Sequence, residues 1–145
     1  MQEVSAFKAL LQTYGLRVTA PRIAVLQALE DAPGHRSAEE VYASVLERSP
    51  ALDRVTVYRT LEMFEAHGLA DRVTLGDKVL RWERRRTPHH HLYCQQCDHI
   101  VELDHEPFAA LAGTLARRYG IRAEVQHLAL PGLCAHCTKQ VPDRP

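Results

Sequence analysis

No stretch of this chain holds 18 consecutive apolar residues, so no membrane-spanning helix of ordinary length is expected. Residues 1–14 have neither a basic leader nor an apolar core and mix acidic and polar residues among the apolar ones; they are not expected to act as a secretory signal. Net charge is also missing, with 18 basic residues against 18 acidic. The balance persists on both sides of the chain: 13 basic and 12 acidic residues up to Arg86, then 5 and 6. Bulk charge therefore cannot drive nucleic-acid binding, which would have to come from the placement of a few cations. The composition of a disordered chain is absent too. At 46% hydrophobic and 25% charged, 145 residues suffice for one ordinary domain or two small ones. These absences predict a globular protein of the cytoplasm.

Cysteine is scarce but patterned. The four fall as two pairs, Cys94/Cys97 and Cys134/Cys137. In a reducing compartment, Cys-x-x-Cys points to metal or redox chemistry and not to disulfides. Two such turns offer the four thiolates that tetrahedral structural zinc takes. The alternatives are four unligated thiols, or one redox pair and a spare; the strand and helix of a parallel sheet that a thioredoxin-type pair needs are not seen.

The first half reads as helices followed by a hairpin. Val4, Phe7, Leu10, Leu11 and Tyr14 recur at helical spacing, and Gly15 stops the run. Thr19 can cap a second helix with Pro21 in its first turn and Ile23, Leu26 and Leu29 on its apolar face; residues 31–34 end it. Ser37 and Glu40 have capping-box spacing ahead of Val41, Val45 and Leu46. Asp53 can cap a fourth helix burying Val57, Leu61 and Phe64, with Gly68 as its stop. Residues 69–75 and 78–83 then form two strands around a turn at Gly76-Asp77. This is the order of a winged helix-turn-helix. Residues 84–88 break the pattern and are expected to be a hinge between domains 1–83 and 89–145. In the second domain we expect short strands about 91–93 and 99–103, a helix over 107–119 with Phe108, Leu111 and Leu115 on one face, a strand over 121–130, and a frayed tail over 141–145. The fold class is α+β: a winged-helix domain followed by a small α/β domain with a four-cysteine zinc site.

Two further constellations carry chemistry. His89, His90 and His91 are consecutive, so on a strand His89 and His91 share a face and His90 turns away. Glu83 and Glu102 lie on neighbouring strands; with the first pair they would make a mixed set suited to a divalent transition ion. The plain alternative is a histidine-rich surface loop. On the fourth helix, Thr56, Tyr58, Arg59 and Glu62 lie off the apolar stripe, as the face of a recognition helix does, while Arg17 and Arg22 could grip phosphates. Taken singly, each could be an ordinary solvated side chain.

Together these segments resemble the ferric uptake regulator family. They are GLRVTAPR (residues 15–22), HRSAEEVY (35–42), TVYRTL (56–61), HHHLYCQQC (89–97) and GLCAHC (132–137). The match runs in order over nearly the whole chain. The resemblance implies a homodimer that binds double-stranded operator DNA when loaded with a regulatory metal and has no small-molecule substrate. It implies one structural zinc per protomer on Cys94, Cys97, Cys134 and Cys137. It implies a second divalent ion, Fe(II), Mn(II) or Zn(II), on His35, Glu83, His89, His91 and Glu102, and DNA contacts from Arg17, Tyr58 and Arg59. Glu83 and His89 are expected near the surface. A third site used by many members reads here as Pro88, His90, Ala109 and His127. Two ligands are lost, Glu106 could substitute for one, and His127 is equally expected as a core residue beside Val125 and Ala123. The zinc-uptake branch places a cysteine in the regulatory site, and none is spare here. The peroxide-sensing branch favours aspartate where this chain has Glu83 and Glu102. Both departures tilt the expectation to iron or manganese.

Two other classes are weighed. A zinc deaminase would carry H-x-E and P-C-x-x-C, and neither occurs; no other hydrolytic motif is present. A zinc-stapled interaction module without DNA binding would not need the polar face around Tyr58 and Arg59.

Overall fold

The computed structural model describes residues 2–31 and 34–141. Residues 32–33 of the stop expected for the second helix, and most of the expected tail, 142–145, lie outside these. The chain divides into two compact units: Met1–Arg72 with Leu80–Arg85, and Val73–Val79 with Arg86–Pro145.

The first unit is built on four helices: α1 (Gln2–Thr13), α2 (Ala20–Asp31), α3 (Ala38–Arg48) and α4 (Arg54–Ala66). Their starts follow from the capping residues. Ser37 Oγ accepts the Glu40 N–H at 3.2 Å while Glu40 Oε2 accepts the Ser37 N–H at 2.7 Å, closing the capping box of α3. Asp53 Oδ1 accepts the Thr56 N–H at 2.7 Å and starts α4. Gly15 and Gly68 sit at φ +70° and +76°, left-handed conformations that end the preceding helices at no side-chain cost. The stripe of α4 is buried as expected: Val57, Leu61 and Phe64 are fully covered. Each such side chain contributes about 1.5–3 kcal/mol through apolar burial. On α2 the buried set is wider than one stripe, taking in Ala24, Val25, Leu26, Ala28 and Leu29. The cause is its central position, against α1, α3, α4 and β3.

A two-residue strand, β1 (Arg36–Ser37), was not expected. It pairs antiparallel with β3 (Leu80–Arg84), aligning Arg36 with Trp82 and Ser37 with Arg81, and β3 neighbours β2 (Ala70–Thr74). Arg84 and Arg85, expected in the hinge, are tied into this unit instead. Arg84 Nε lies 3.0 Å from Glu30 Oε1, and Arg85 donates to Asp71 Oδ1 through Nε at 2.7 Å. The Arg85 N–H also donates to the Leu69 carbonyl.

In the second unit, β4 (His89–Cys94) is the middle strand of three. It pairs antiparallel with β5 (Ile100–Asp104) and parallel with β6 (Ala129–Gly132). The helix α5 (Glu106–Tyr119) ends at Gly120, φ +66°. The short α6 (Ala135–Thr138) follows β6. The strand expected over 121–130 is corrected: only 129–132 is a strand. A strand needs a ladder for its amides, and residues 129–132 find one on β4, while 121–128 run without regular structure. The tip of the hairpin, Val73–Val79, groups with this unit, where a Cβ on Gly76 would come within 2.9 Å of the Tyr93 ring.

Candidate metal centres and nucleic-acid face

Both cysteine pairs are placed by β4. The first begins at its last residue, Cys94. The turn beyond it is closed by Asp98 N–H donating to the Cys94 carbonyl and by Cys94 N–H donating to the His99 carbonyl, with Asp98 in the left-handed region at φ +59°. The second pair is delivered by the parallel ladder, which aligns Gly132 with Cys94; Cys134 then caps α6. The four sulfurs lie within 4.8 Å of one another, with Cys97 Sγ 3.8 Å from Cys134 Sγ, and all four are free thiols. An ion bound 2.3 Å from four tetrahedral sulfurs would hold them roughly 3.8 Å apart, so the set fits zinc. Backbone hydrogen bonding from Cys134 pulls the Cys94 thiol down to about 6, and burial pushes Cys137 up to about 12. One thiol is thus ready to bind, and another gives up its proton only to a cation.

The first unit carries one half of the expected regulatory set. Because β1 aligns Arg36 with Trp82, His35 falls beside Glu83, and its Nε2 is 3.3 Å from Glu83 Oε2. The side chains are 9% and 10% exposed, so Glu83 is buried and not near the surface as expected.

The second unit carries the other half. His89 and His91 share one face of β4 as predicted, with ring centroids 4.7 Å apart. A third imidazole joins them: His127 Nε2 is 2.9 Å from His91 Nε2, and its centroid is 5.0 Å from that of His89. Glu102 is opposite His91 in the β4–β5 ladder, but it is exposed and does not join this set.

The residues of the expected third site are not brought together. His90 turns to the other face and is fully buried. Its Nδ1 accepts the Leu128 N–H at 3.0 Å, so in the neutral ring the proton is on Nε2, 2.9 Å from His105 Nδ1. Burial and the neighbouring imidazoles hold its pKa below the usual histidine value. With both nitrogens committed and Phe108 stacked on the ring at 3.8 Å, His90 has no atom to offer a metal. Glu106 is exposed in the first turn of α5, and His127 is engaged with His91. The core role expected for His127 also gives way, because the segment carrying it is not a strand and its ring is half-buried.

On α4, Tyr58 and Arg59 are exposed and Thr56 is half-buried. Arg17 is exposed just ahead of α2, and Arg22 donates from Nη1 to the Arg17 carbonyl at 2.8 Å, bracing that turn. A shallow groove of about 270 Å³ separates the start of α2 from α4 and is lined by Thr19, Pro21, Arg22, Thr56, Arg59 and Met63. Tyr58 meets the Trp82 ring edge-on at 6.2 Å, a contact between distant positions that no local pattern announces.

The sequence model described as the Ferric uptake regulator family matches residues 13–130. The Ferric uptake regulation protein of Bacillus subtilis (strain 168) is 30% identical, over 92% of this chain and 93% of its own length. That of Legionella pneumophila is 36% identical, over 88% and 95%. Among solved structures, the ferric uptake regulator of Pseudomonas aeruginosa with manganese superposes with a TM-score of 0.72 at 30% identity, covering 89% of this chain and 98% of that one. The family model and these relatives span most of the sequence, and the chain belongs to the ferric uptake regulator family.

Proposed function

We propose that this protein is a homodimeric, metal-dependent transcriptional repressor of metal homeostasis acting in the cytoplasm, not an enzyme. The observation that carries the reading is that one chain holds two separate donor sets and an exposed helix face of DNA-binding character. The cysteine quartet suits structural zinc; the His35–Glu83 pair and the imidazoles on β4 suit an exchangeable ion. The first pair supplies two donors from one unit, and His89 and His91 supply two from the other. A divalent cation would add positive charge next to the buried Glu83–His35 pair. The ion thereby selects one conformer of a two-state dimer, and the spacing of two α4 helices is set for successive half-sites.

Thr56, Tyr58 and Arg59 read base edges and methyl groups in this scheme, and Arg17 and Arg22 hold phosphates. Dimerisation is supported by α5, none of whose residues is buried within one chain, and by Leu111, Tyr119 and Ile121, which are 48%, 64% and 49% exposed. No helix among the described residues is long and apolar enough to cross a membrane. The relatives of this chain include ferric uptake regulation proteins and a peroxide operon regulator.

The test is selection of bound duplexes from a random pool with Fe(II), Mn(II), Zn(II) or chelator present. A discrete palindromic site enriched only with metal is expected. Enrichment of no sequence under any metal would reject the reading in favour of an interaction module.

A further inference from the structure

We infer that the sensory ion of this chain is bound by three imidazoles in the second unit, His89, His91 and His127, with His127 taking the place expected for Glu102. This rests on the proposed metal-sensing role and specifies its ligand set.

Three observations converge on His127. The first is the geometry of the rings. The centroids of His89, His91 and His127 are mutually 4.7, 4.9 and 5.0 Å apart, and the rings meet edge-on at 89°, 88° and 69°. Their available nitrogens lie within 4.8 Å of one another, close enough for one ion to reach all three. The second is how the segment carrying His127 is held. The Leu128 N–H donates to His90 Nδ1 at 3.0 Å, and the Leu128 carbonyl accepts the His91 N–H at 2.8 Å. The residue after His127 is thus fastened to two consecutive residues of β4, to the ring of one and the backbone of the other. His90 serves as a positioning residue: it binds no metal, but it fixes the backbone next to a ligand. The third is the placement of Glu102, exposed on β5 although it is aligned with His91.

Exchanging a carboxylate for an imidazole changes what the site prefers. Imidazole suits zinc, copper, iron and nickel, whereas carboxylate and water suit manganese. A set led by three imidazoles therefore favours Zn(II) or Fe(II) over Mn(II).

The experiment uses the full-length protein with its cysteine zinc in place. It is titrated with Co(II), whose visible bands report imidazole coordination, and separately with Mn(II). Since losing a group that merely orients a ligand costs about 10–100-fold in affinity, His127→Ala should weaken Co(II) binding by on the order of 100-fold, and His90→Ala by about 10-fold. Glu102→Ala should leave affinity and spectrum at the parent values. His127→Glu should recover binding and shift preference toward Mn(II). Should His127→Ala misfold, long-range proton–nitrogen spectra of the histidine rings in the unmodified protein decide the matter. Addition of Zn(II) should move a ring nitrogen of His127 into the metal-bound range together with those of His89 and His91. An unmoved His127 ring, or parent-like Co(II) binding by His127→Ala with loss in Glu102→Ala, overturns the inference. Duplex binding is measured on the same samples. Tight His127-dependent binding with no effect on DNA affinity would uphold this ligand set while rejecting the sensing role.

Discussion

His35 Nε2 stands 3.3 Å from Glu83 Oε2, and both side chains are nearly out of contact with water. Removing either member leaves the other a buried polar group with a lost partner. Glu83→Ala should therefore destabilise even the metal-free protein, by about 1–3 kcal/mol. It should also abolish the metal-induced rise in stability, because a ligand stabilises the folded state only as far as it binds it. Urea denaturation with chelator and with excess metal checks both. A metal-free midpoint equal to that of the parent would show the pair to be energetically idle.

Cys94 and Cys134 are each anchored in a β4 ladder, one at its end and one just past its parallel neighbour. Changing either to Ser should lose zinc and unfold the second unit, since structural zinc contributes directly to folding. The dimer should weaken with it. Zinc content by mass spectrometry and sedimentation velocity measure the two effects, and a zinc-free dimer of parent stability would refute the assignment.

The thiols also set a pH dependence. With Cys94 at about 6 and Cys137 at about 12, the zinc-free protein at neutral pH holds the first mostly as thiolate and the second as thiol. Zinc needs all four as thiolates, so binding must release protons, and fewer than four of them. Protons compete with the ion, so zinc affinity should rise from pH 6 to pH 8 and fall on acidification. Calorimetric titration in buffers of different ionisation enthalpy counts the protons. A count of zero at neutral pH would contradict a thiolate quartet.

Tyr58 and Arg59 project from α4 without belonging to either donor set. Tyr58→Ala and Arg59→Ala should each cost on the order of 1–3 kcal/mol of affinity for the selected DNA site and relax its sequence preference. Metal content and dimerisation should be unchanged. Equal affinity for selected and scrambled duplexes in the parent, or unaltered binding by both variants, would place recognition on another surface.

Much of this architecture was legible in advance because its signals are local. Ser37 with Glu40, Asp53 before Val57, and Gly15, Gly68 and Gly120 mark helix ends through hydrogen bonds and backbone angles confined to a few residues. The face-sharing of His89 and His91 follows from strand alternation alone. What stayed hidden depends on pairing between distant segments. Two residues at 36–37 are too short to show a strand period, yet their ladder with β3 brings His35 to Glu83. The parallel ladder of β6 on β4 moves His127 to His91, and the length of residues 121–130 suggested a strand that finds no partner there. His90 was read as a spare ligand because its hydrogen-bond partners, Leu128 and His105, are 38 and 15 residues away.

The short ladder between β1 and β3 has a mechanical corollary. Trp82 is aligned with Arg36, follows Arg81 and precedes Glu83 along β3, and touches Tyr58 on α4 with its ring. On the other side, His35 leads straight into Arg36, whose guanidinium grips the Ala28 carbonyl of α2 and the Glu40 carbonyl of α3. A displacement of His35 can pass to α2 and α3 through the Arg36 side chain, and one of Glu83 to α4 through Trp82 and Tyr58. Replacing Trp82 with a smaller residue should therefore loosen α4 from β3 without removing a member of either donor set.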